Sequence, residues 1–245
     1  MKKIIQVLYT IYAWIINVSL WSMGYFVSII STIGTKDKEC KYNAIERMFT
    51  RISFRLLGIN LEVKGLENIP DDEPVIFVSN HQSFIDVKLS IAAIPRNFSF
   101  ISKDIIFKIP ILGKYMKTSG HIGICRSDER NAYGTLQEVI KKLDAGKSVI
   151  FFPEGTRSVN GELVRFKRGI SMIILKSGRR VIPTAIIGSS GYLPKSSILS
   201  NPESRDIRFR FGKPLEFPKV EKEDRKLSKE VLEKVRNEVS KLLYN

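Results

Sequence analysis

The first 35 residues form a long apolar segment. From Ile4 to Thr35 there is no charged residue, and Ile, Val, Leu, Tyr, Trp and Phe dominate. About 20 apolar residues are enough for a helix to span a bilayer, so this pattern predicts a membrane-associated segment. Gly24 and several Ser and Asn residues interrupt the run. Two arrangements therefore stay open, a helix that lies within one leaflet and a helix that crosses the membrane.

The next stretch, from Lys41 to Leu57, has the periodicity of an amphipathic helix. Apolar residues recur at three- and four-residue spacing, while Arg47, Arg51 and Arg55 repeat every fourth residue on another face. Such helices lie in the headgroup plane, with arginine against lipid phosphates. A surface helix packed on its own domain is the alternative. Residues 1–60 are thus predicted to be membrane-associating helices.

After Gly58 the chain alternates between apolar runs and helical patterns. The runs predict the strands Val75–Ser79, Phe98–Ser102, Ile122–Cys125, Val149–Phe152, Val181–Ile187 and Asp206–Phe211. The periodic stretches predict the helices Val87–Ile94, Asn131–Leu143, Ile170–Lys176 and Leu227–Leu243, the last as a solvated surface helix. Residues 61–245 are therefore predicted to form an α/β domain, a mixed sheet flanked by helices. The segment Gly188–Glu203 is expected to be a loop.

Charge narrows the choice of partners. The formal net charge of +15 indicates an anionic partner, which is nucleic acid, an acidic membrane surface or a phosphorylated ligand. Aromatic residues concentrate in the N-terminal segment and the strands, which disfavours nucleic acid. Cys40 and Cys125 lie far apart, so neither a disulfide framework nor a cysteine metal site is expected. No cofactor or metal ion is predicted. The basic flank of the apolar segment places the body on the cytoplasmic side of the inner membrane.

One candidate catalytic motif follows the first predicted strand of the body. It reads Asn80-His81-Gln82-Ser83-Phe84-Ile85-Asp86. A carboxylate five residues after a histidine can fold back over one helical turn and accept the imidazole Nδ1–H. This would hold Nε2 outward as a base, as the aspartate of a Ser-His-Asp triad does. Taken alone, the motif fits a histidine that caps the helix equally well.

A candidate anion-binding motif follows another predicted strand and reads Phe152-Pro153-Glu154-Gly155-Thr156-Arg157-Ser158. Gly155 permits a tight turn, and Arg157 offers a planar fork for phosphate oxygens. Lys167 and Arg168 add two cations just before a predicted helix, whose start favours anions. A basic surface loop is the alternative.

Weaker candidates lie at other strand ends. Lys103 and Arg126 each lie at the end of a predicted strand. Taken alone, each is interpreted as an ordinary charged residue of the surface. Pro183 lies in an apolar run and by itself indicates an edge strand or a pocket wall. His121 has no matching carboxylate and is expected to be structural or superficial.

Together and in this order, these motifs resemble the glycerolipid acyltransferase family over about residues 61–211. The family's blocks are Asn-His-x4-Asp, Gly-x-x-x-[Ile/Val]-x-Arg, Phe-Pro-Glu-Gly-Thr-Arg-Ser and an apolar-proline block. The first and third match fully here. Many members carry a larger apolar residue, often Phe, where this chain has Gly123. The length and apolar N-terminus are similar to those of bacterial 1-acyl-glycerol-3-phosphate acyltransferases.

The resemblance implies a reaction and a set of site residues. The reaction is transfer of a fatty acyl group from acyl-CoA or acyl-carrier protein to the free hydroxyl of 1-acyl-glycerol 3-phosphate, giving phosphatidic acid. Implied for acceptor binding are Arg126, Glu154, Gly155, Thr156 and Arg157, to which charge and position add Lys103 and Lys167. His81 is implied as the general base oriented by Asp86, and Pro183 as an acyl-side wall. Alternatives are another glycerol-phosphate or lysophospholipid acceptor, and a non-catalytic protein that binds anionic lipid.

Overall fold

The computed structural model describes residues 1–124, 129–159, 161–222 and 224–244. The helices are α1 (Lys2–Ser31), α2 (Lys38–Leu57), α3 (Asp86–Ala93), α4 (Asp104–Phe107), α5 (Leu112–Thr118), α6 (Glu129–Asp144), α7 (Gly169–Ser177), α8 (Ser189–Tyr192) and α9 (Arg225–Tyr244). The strands are β1 (Asn60–Lys64), β2 (Ile76–Ser79), β3 (Phe98–Lys103), β4 (Ile122–Ile124), β5 (Ser148–Phe151), β6 (Val181–Ile187) and β7 (Asp206–Phe211).

The strands of the described residues form one mixed sheet in the order β1-β7-β6-β2-β5-β3-β4. β6 and β7 are antiparallel, and every other neighbouring pair is parallel. The predicted fold class, a mixed sheet flanked by helices, is confirmed. Because β6, β2, β5, β3 and β4 run the same way, their carboxyl ends lie at one edge, where α/β proteins usually bind ligands.

Helices cover both faces of the sheet, so alternate residues of β2 enter different cores. Phe77 packs with Leu89 of α3 and with Phe54 and Leu57 of α2. Ile76 and Val78 belong to the opposite core, which α6, α7 and α9 complete. Residues on both sides of position 60 therefore share one core, and the division of the chain there stays a prediction.

The body also contains elements that the sequence pattern did not predict. These include α4, α5 and α8, the last within the segment Gly188–Glu203 that was expected to be a loop. The predicted amphipathic C-terminal surface helix is present as α9, which buries Val231, Val235 and Val239 on one side. β1 was not predicted, and its residues alternate between exposed and half-buried in the pairing with β7.

Helix α1 packs with its small and polar face inward. Its buried residues are Thr10, Ala13, Gly24 and Ser28, whereas its large apolar side chains are mostly exposed. Within the described residues, α1 is the one helix long and apolar enough to cross a membrane, and 17% of its most apolar window is buried. A helix of a water-soluble protein has the opposite pattern, with the apolar stripe facing the core.

Close contacts hold α1 against α2. Gly24 faces the ring of Phe49, and a Cβ atom added at residue 24 would lie 3.1 Å from that ring. The Ser53 hydroxyl donates a hydrogen bond to Asn17 Oδ1 at 2.8 Å. The two helices therefore form an antiparallel pair that packs through small and polar residues.

The α/β body also contacts α1 along much of its length. At one end, Ser200 N donates a hydrogen bond to Thr10 Oγ1 at 2.9 Å. Towards the other end, the rings of Trp21 and Tyr25 both pack on Tyr115 of α5 at 5.9 Å between centroids. Lys88 of α3 donates a hydrogen bond to Asn17 between these points. Helix α1 therefore lies along the body.

The arginine stripe of α2 has structural contacts. Arg51 donates two hydrogen bonds to Ala92 O, and Arg47 donates one to Arg96 O. Both arginines thus bond to backbone carbonyls at and just beyond the end of α3, where cations are favourable. Arg55 is exposed. Contact between this stripe and lipid phosphates stays a prediction.

We expect Gly24→Leu to destabilise the protein by about 1–3 kcal/mol, because the new side chain would collide with Phe49. The control is Gly134→Ala in α6, where an added Cβ meets no atom within 4 Å. Replacing an exposed helical glycine should instead stabilise by about 0.5–1 kcal/mol. Thermal unfolding in detergent measures both. A Gly24→Leu variant as stable as the wild type would contradict the α1–α2 packing.

Candidate active site

Two loops meet at the carboxyl edge of the sheet. β2 and β5 are parallel neighbours, and Val78 pairs with Phe151 near their ends. The loop after β2 carries the histidine motif, and the loop after β5 carries the arginine motif. Adjacent strands lie about 4.8 Å apart, so the two motifs that were separate in sequence are neighbours in space.

The histidine motif is organised by one carboxylate oxygen. Asp86 Oδ2 lies 2.8 Å from His81 Nδ1 and accepts hydrogen bonds from Gln82 N at 2.7 Å and Ser83 N at 2.8 Å. Asp86 is fully buried as the first residue of α3, where the helix dipole favours an anion. The His81 side chain retains 18% exposure. The predicted His81–Asp86 pairing is therefore present in the structure.

A second carboxylate ties the two loops together. Glu154 Oε1 accepts a hydrogen bond from His81 N at 2.7 Å, and Oε2 accepts one from Val164 N at 3.1 Å. Burial raises the pKa of Glu154, and these two N–H donors oppose the shift. Ser158 N donates to His81 O at 2.8 Å. The Glu154 side chain thus holds the backbone of His81, and the predicted contact between Glu154 and an acceptor stays a prediction.

Aromatic rings flank the histidine and the arginine. Phe152 stacks on the His81 imidazole with 4.4 Å between ring centroids. The Arg157 guanidinium carbon lies 3.6 Å above the centre of the Phe84 ring. Arg157 Nη1 is buried and has no hydrogen-bond partner within the described parts of the chain. A desolvated N–H donor of this kind is well suited to bind an anion.

Gly155 allows a lysine to lie across the arginine loop. Its φ is +70°, and an added Cβ atom would lie 2.8 Å from Cε and 2.9 Å from Nζ of Lys167. A larger residue at position 155 would therefore displace the Lys167 side chain. The structure brings Lys167, Thr156 and Arg157 to one loop region beside the histidine motif, and their contact with an acceptor stays a prediction.

The remaining candidates are more dispersed. Strand register places Lys103 level with Pro153 and Asn80, two strands away from β2, and its side chain is exposed. Arg126 lies outside the described residues. Pro183 is buried in β6, which is an interior strand, so an edge position is wrong. The proline is tolerated because the ladder with β7 begins one residue later. Its role in an acyl pocket stays a prediction.

The described residues of the Gly-x-x-x-[Ile/Val]-x-Arg block, residues 120–124, make structural contacts. His121 is buried and its Nδ1 accepts a hydrogen bond from Phe100 N at 3.2 Å. An added Cβ at Gly123 would lie 3.2 Å from the ring of Phe107. Phe107 therefore occupies space beside the position where many family members carry a larger residue.

Several residues at the site were not predicted from the sequence. Lys195 Nζ donates hydrogen bonds to Arg157 O at 2.6 Å and to Thr156 Oγ1 at 3.2 Å, and it lies in the segment that was expected to be a loop. Phe84 supplies the ring under Arg157. An apolar residue inside the polar histidine motif was the feature of the sequence that could have pointed to it. Asn80 bonds to N and O of Ile186 and so joins β2 to β6.

This arrangement is that of an α/β protein with a candidate catalytic site at the carboxyl edge of its sheet. An imidazole oriented by a buried carboxylate can take a proton at Nε2, and a cationic loop beside it can hold an anionic group. The site thus places a histidine–carboxylate pair beside a cationic loop at the edge of the sheet.

Comparisons with known proteins identify the family to which this chain is similar. The acyltransferase family profile matches residues 60–187. A chloroplast 1-acyl-sn-glycerol-3-phosphate acyltransferase of Arabidopsis thaliana is 37% identical over 184 residues, covering 74% of this chain and 50% of the relative. The enzyme of that name from Borreliella burgdorferi is 30% identical over 155 residues, covering 63% of this chain and 62% of the relative.

The fold of a solved relative is also similar. The crystal structure of the acyltransferase PlsC from Thermotoga maritima matches with a TM-score of 0.81 and 30% identity, covering 99% of this chain and 98% of that one. The chain therefore belongs to the acyltransferase family. It spans half or less of the length of the first three curated relatives that it matches.

We expect His121 to make the protein acid-labile. Burial, with a contribution from Lys142, lowers the pKa of His121 from 6.5 to about 4 in the folded protein. The stability due to neutral His121 is therefore fully present above pH 6.5 and is lost as the pH falls towards 4. His121→Asn keeps an acceptor but does not titrate. Its unfolding free energy should depend less steeply on pH in this window, by up to about 1.4 kcal/mol per pH unit. Parallel curves for the two proteins would contradict this assignment.

Proposed function

We propose that this protein transfers a fatty acyl group from a thioester to the sn-2 hydroxyl of 1-acyl-sn-glycerol 3-phosphate, forming phosphatidic acid. The observation that carries the proposal is the His81–Asp86 contact of 2.8 Å beside the Arg157 loop. Family membership and the names of the relatives support the acyl chemistry. The donor is acyl-CoA or acyl-carrier protein.

The chemical step needs only the base and the two substrates. His81 Nε2 takes the proton of the acceptor hydroxyl as the oxygen attacks the thioester carbonyl carbon. The tetrahedral intermediate then collapses, the C–S bond breaks, and the thiolate takes the proton from the imidazolium. One ester forms and one thioester is lost, with no covalent enzyme intermediate. A base positioned in this way contributes about 10² to 10⁴ in rate.

The acceptor phosphate is assigned to the arginine loop. Arg157 supplies the fork, and Lys167 lies across the same loop. Arg126 and Lys103 are proposed as further acceptor contacts. Together these residues favour a phosphate-bearing acceptor over a neutral alcohol.

We infer that α1 associates with one leaflet of the cytoplasmic membrane, with the body on the cytoplasmic side. Its large apolar residues are exposed while its polar face is occupied by protein. The body contacts α1 near Tyr9 and again near Tyr25, about 24 Å apart along the helix. A helix held along the body over that length favours the in-plane arrangement over one that crosses the bilayer.

We expect His81→Ala to reduce acceptor-dependent thiol release by at least about 10². Asp86→Asn should reduce it as well, because the amide no longer orients the imidazole correctly. The assay follows free thiol from acyl-CoA and from acyl-carrier protein, with and without lysophosphatidic acid.

Lys213→Ala, an exposed position on the loop after β7, is the control and should retain full activity. A folded His81→Ala variant with substantial activity would contradict the assignment of the base. Wild-type turnover without an acceptor would indicate a thioesterase. Lipid binding without turnover would indicate a non-catalytic protein.

We expect the double variant Ile11→Glu, Ile15→Glu to lose binding to vesicles that contain anionic lipid. Both residues are more than half exposed on α1, and removing each apolar contact should weaken binding by at least about tenfold. Lys213→Glu changes the net charge by the same amount and should still sediment with vesicles. Transfer in detergent micelles should be retained by both. Equal binding of the two variants would contradict a membrane-facing α1.

A further inference from the structure

The segment between β6 and β7, residues 188–203, contacts both loops of the site. Its Leu193 O accepts a hydrogen bond from Ser83 Oγ at 2.7 Å, in the histidine motif. Its Lys195 donates to the arginine loop, at 2.6 Å to Arg157 O and at 3.2 Å to Thr156 Oγ1. One segment therefore touches the loop that carries the base and the loop that carries the anion site.

Both oxygens that Lys195 contacts are neutral. Within the described residues, no carboxylate oxygen lies within ion-pairing distance of its ammonium group. The positive charge is therefore not neutralised by the contacts that hold the lysine in place. Because the side chain is half-buried, that charge is screened by water less than that of a fully exposed lysine.

The lysine also restrains the backbone of the residue that bears the fork. The guanidinium of Arg157 is set over Phe84, while the carbonyl of Arg157 is held by Lys195. The arginine is thus fixed at both its main chain and its side-chain tip. A donor fixed in advance loses less entropy when it binds an anion.

We propose that Lys195 is a positioning residue for the acceptor phosphate: it fixes the Arg157 carbonyl and the Thr156 hydroxyl so that Arg157 faces the phosphate, and it adds a further cation there. The inference rests on the proposed function and names a residue outside the matching blocks of the family. Lys195 has no part in the proton transfer at His81. Its loss should therefore affect acceptor binding and leave the chemical step and the thioester donor unaffected.

The test measures kcat, KM for lysophosphatidic acid and KM for the acyl thioester. In Lys195→Met the KM for lysophosphatidic acid should rise about tenfold, as expected for loss of hydrogen bonds made by a charged group. The donor KM and kcat should change little. Inhibition by glycerol 3-phosphate, competitive with the acceptor, should weaken by a similar factor. Lys195→Arg should recover most of the loss, because it keeps both the charge and the donors.

Two further variants make the result interpretable. Lys213→Met removes a lysine charge from an exposed loop and should behave as the wild type. Lys195→Gln is a smaller change that keeps a hydrogen-bond donor, and it should raise the acceptor KM by less than Lys195→Met. If Lys195→Met fails to fold, Lys195→Gln decides the question: a higher acceptor KM supports the proposal, and an unchanged one overturns it.

The remaining outcomes are distinct. An unchanged acceptor KM in Lys195→Met, an equal loss for both substrates, or the same loss in Lys213→Met would overturn this inference alone. Wild-type protein that does not turn over lysophosphatidic acid would overturn the proposed function and this inference together.

Discussion

A buried carboxylate organises the loop between β2 and α3, and the rest of the site depends on it. Asp86 has no exposure to water, and the same oxygen meets an imidazole nitrogen and two backbone N–H groups. Breaking such a buried charge from its partners costs about 3–5 kcal/mol. The orientation of His81 is thus fixed by the interaction that folds the loop. Glu154 then attaches the neighbouring loop to the same histidine.

The strands and the histidine pair were predictable from sequence for local reasons. Buried parallel strands are apolar runs, and His81 and Asp86 are five residues apart, so their contact needs one turn of chain. β1 was missed because Asn60–Lys64 pairs at a sheet edge and alternates with charged residues. α9 was predictable because its valines recur every fourth residue among charged residues.

The parts of the site that sequence reasoning did not reach depend on tertiary contacts. The family resemblance implies an acceptor contact for Glu154, and no local pattern indicated that its carboxylate also binds the backbone of His81 and Val164. Lys195 lies 38 residues from Arg157 in a segment without periodicity. No local pattern distinguishes such a lysine from the other cations of a strongly basic chain.

The contacts of α1 have a consequence for synthesis of the chain. Tyr9 and Thr10 meet Tyr192 and Ser200, which lie 183 and 190 residues later. At about 5–20 residues per second, a ribosome needs on the order of 10–40 s to make the chain between these partners. During that time α1 can pair with α2 but has no folded body beside it, and its large apolar residues are exposed. A lipid surface is then available to these exposed residues before the body has folded, so membrane attachment would precede completion of the active site.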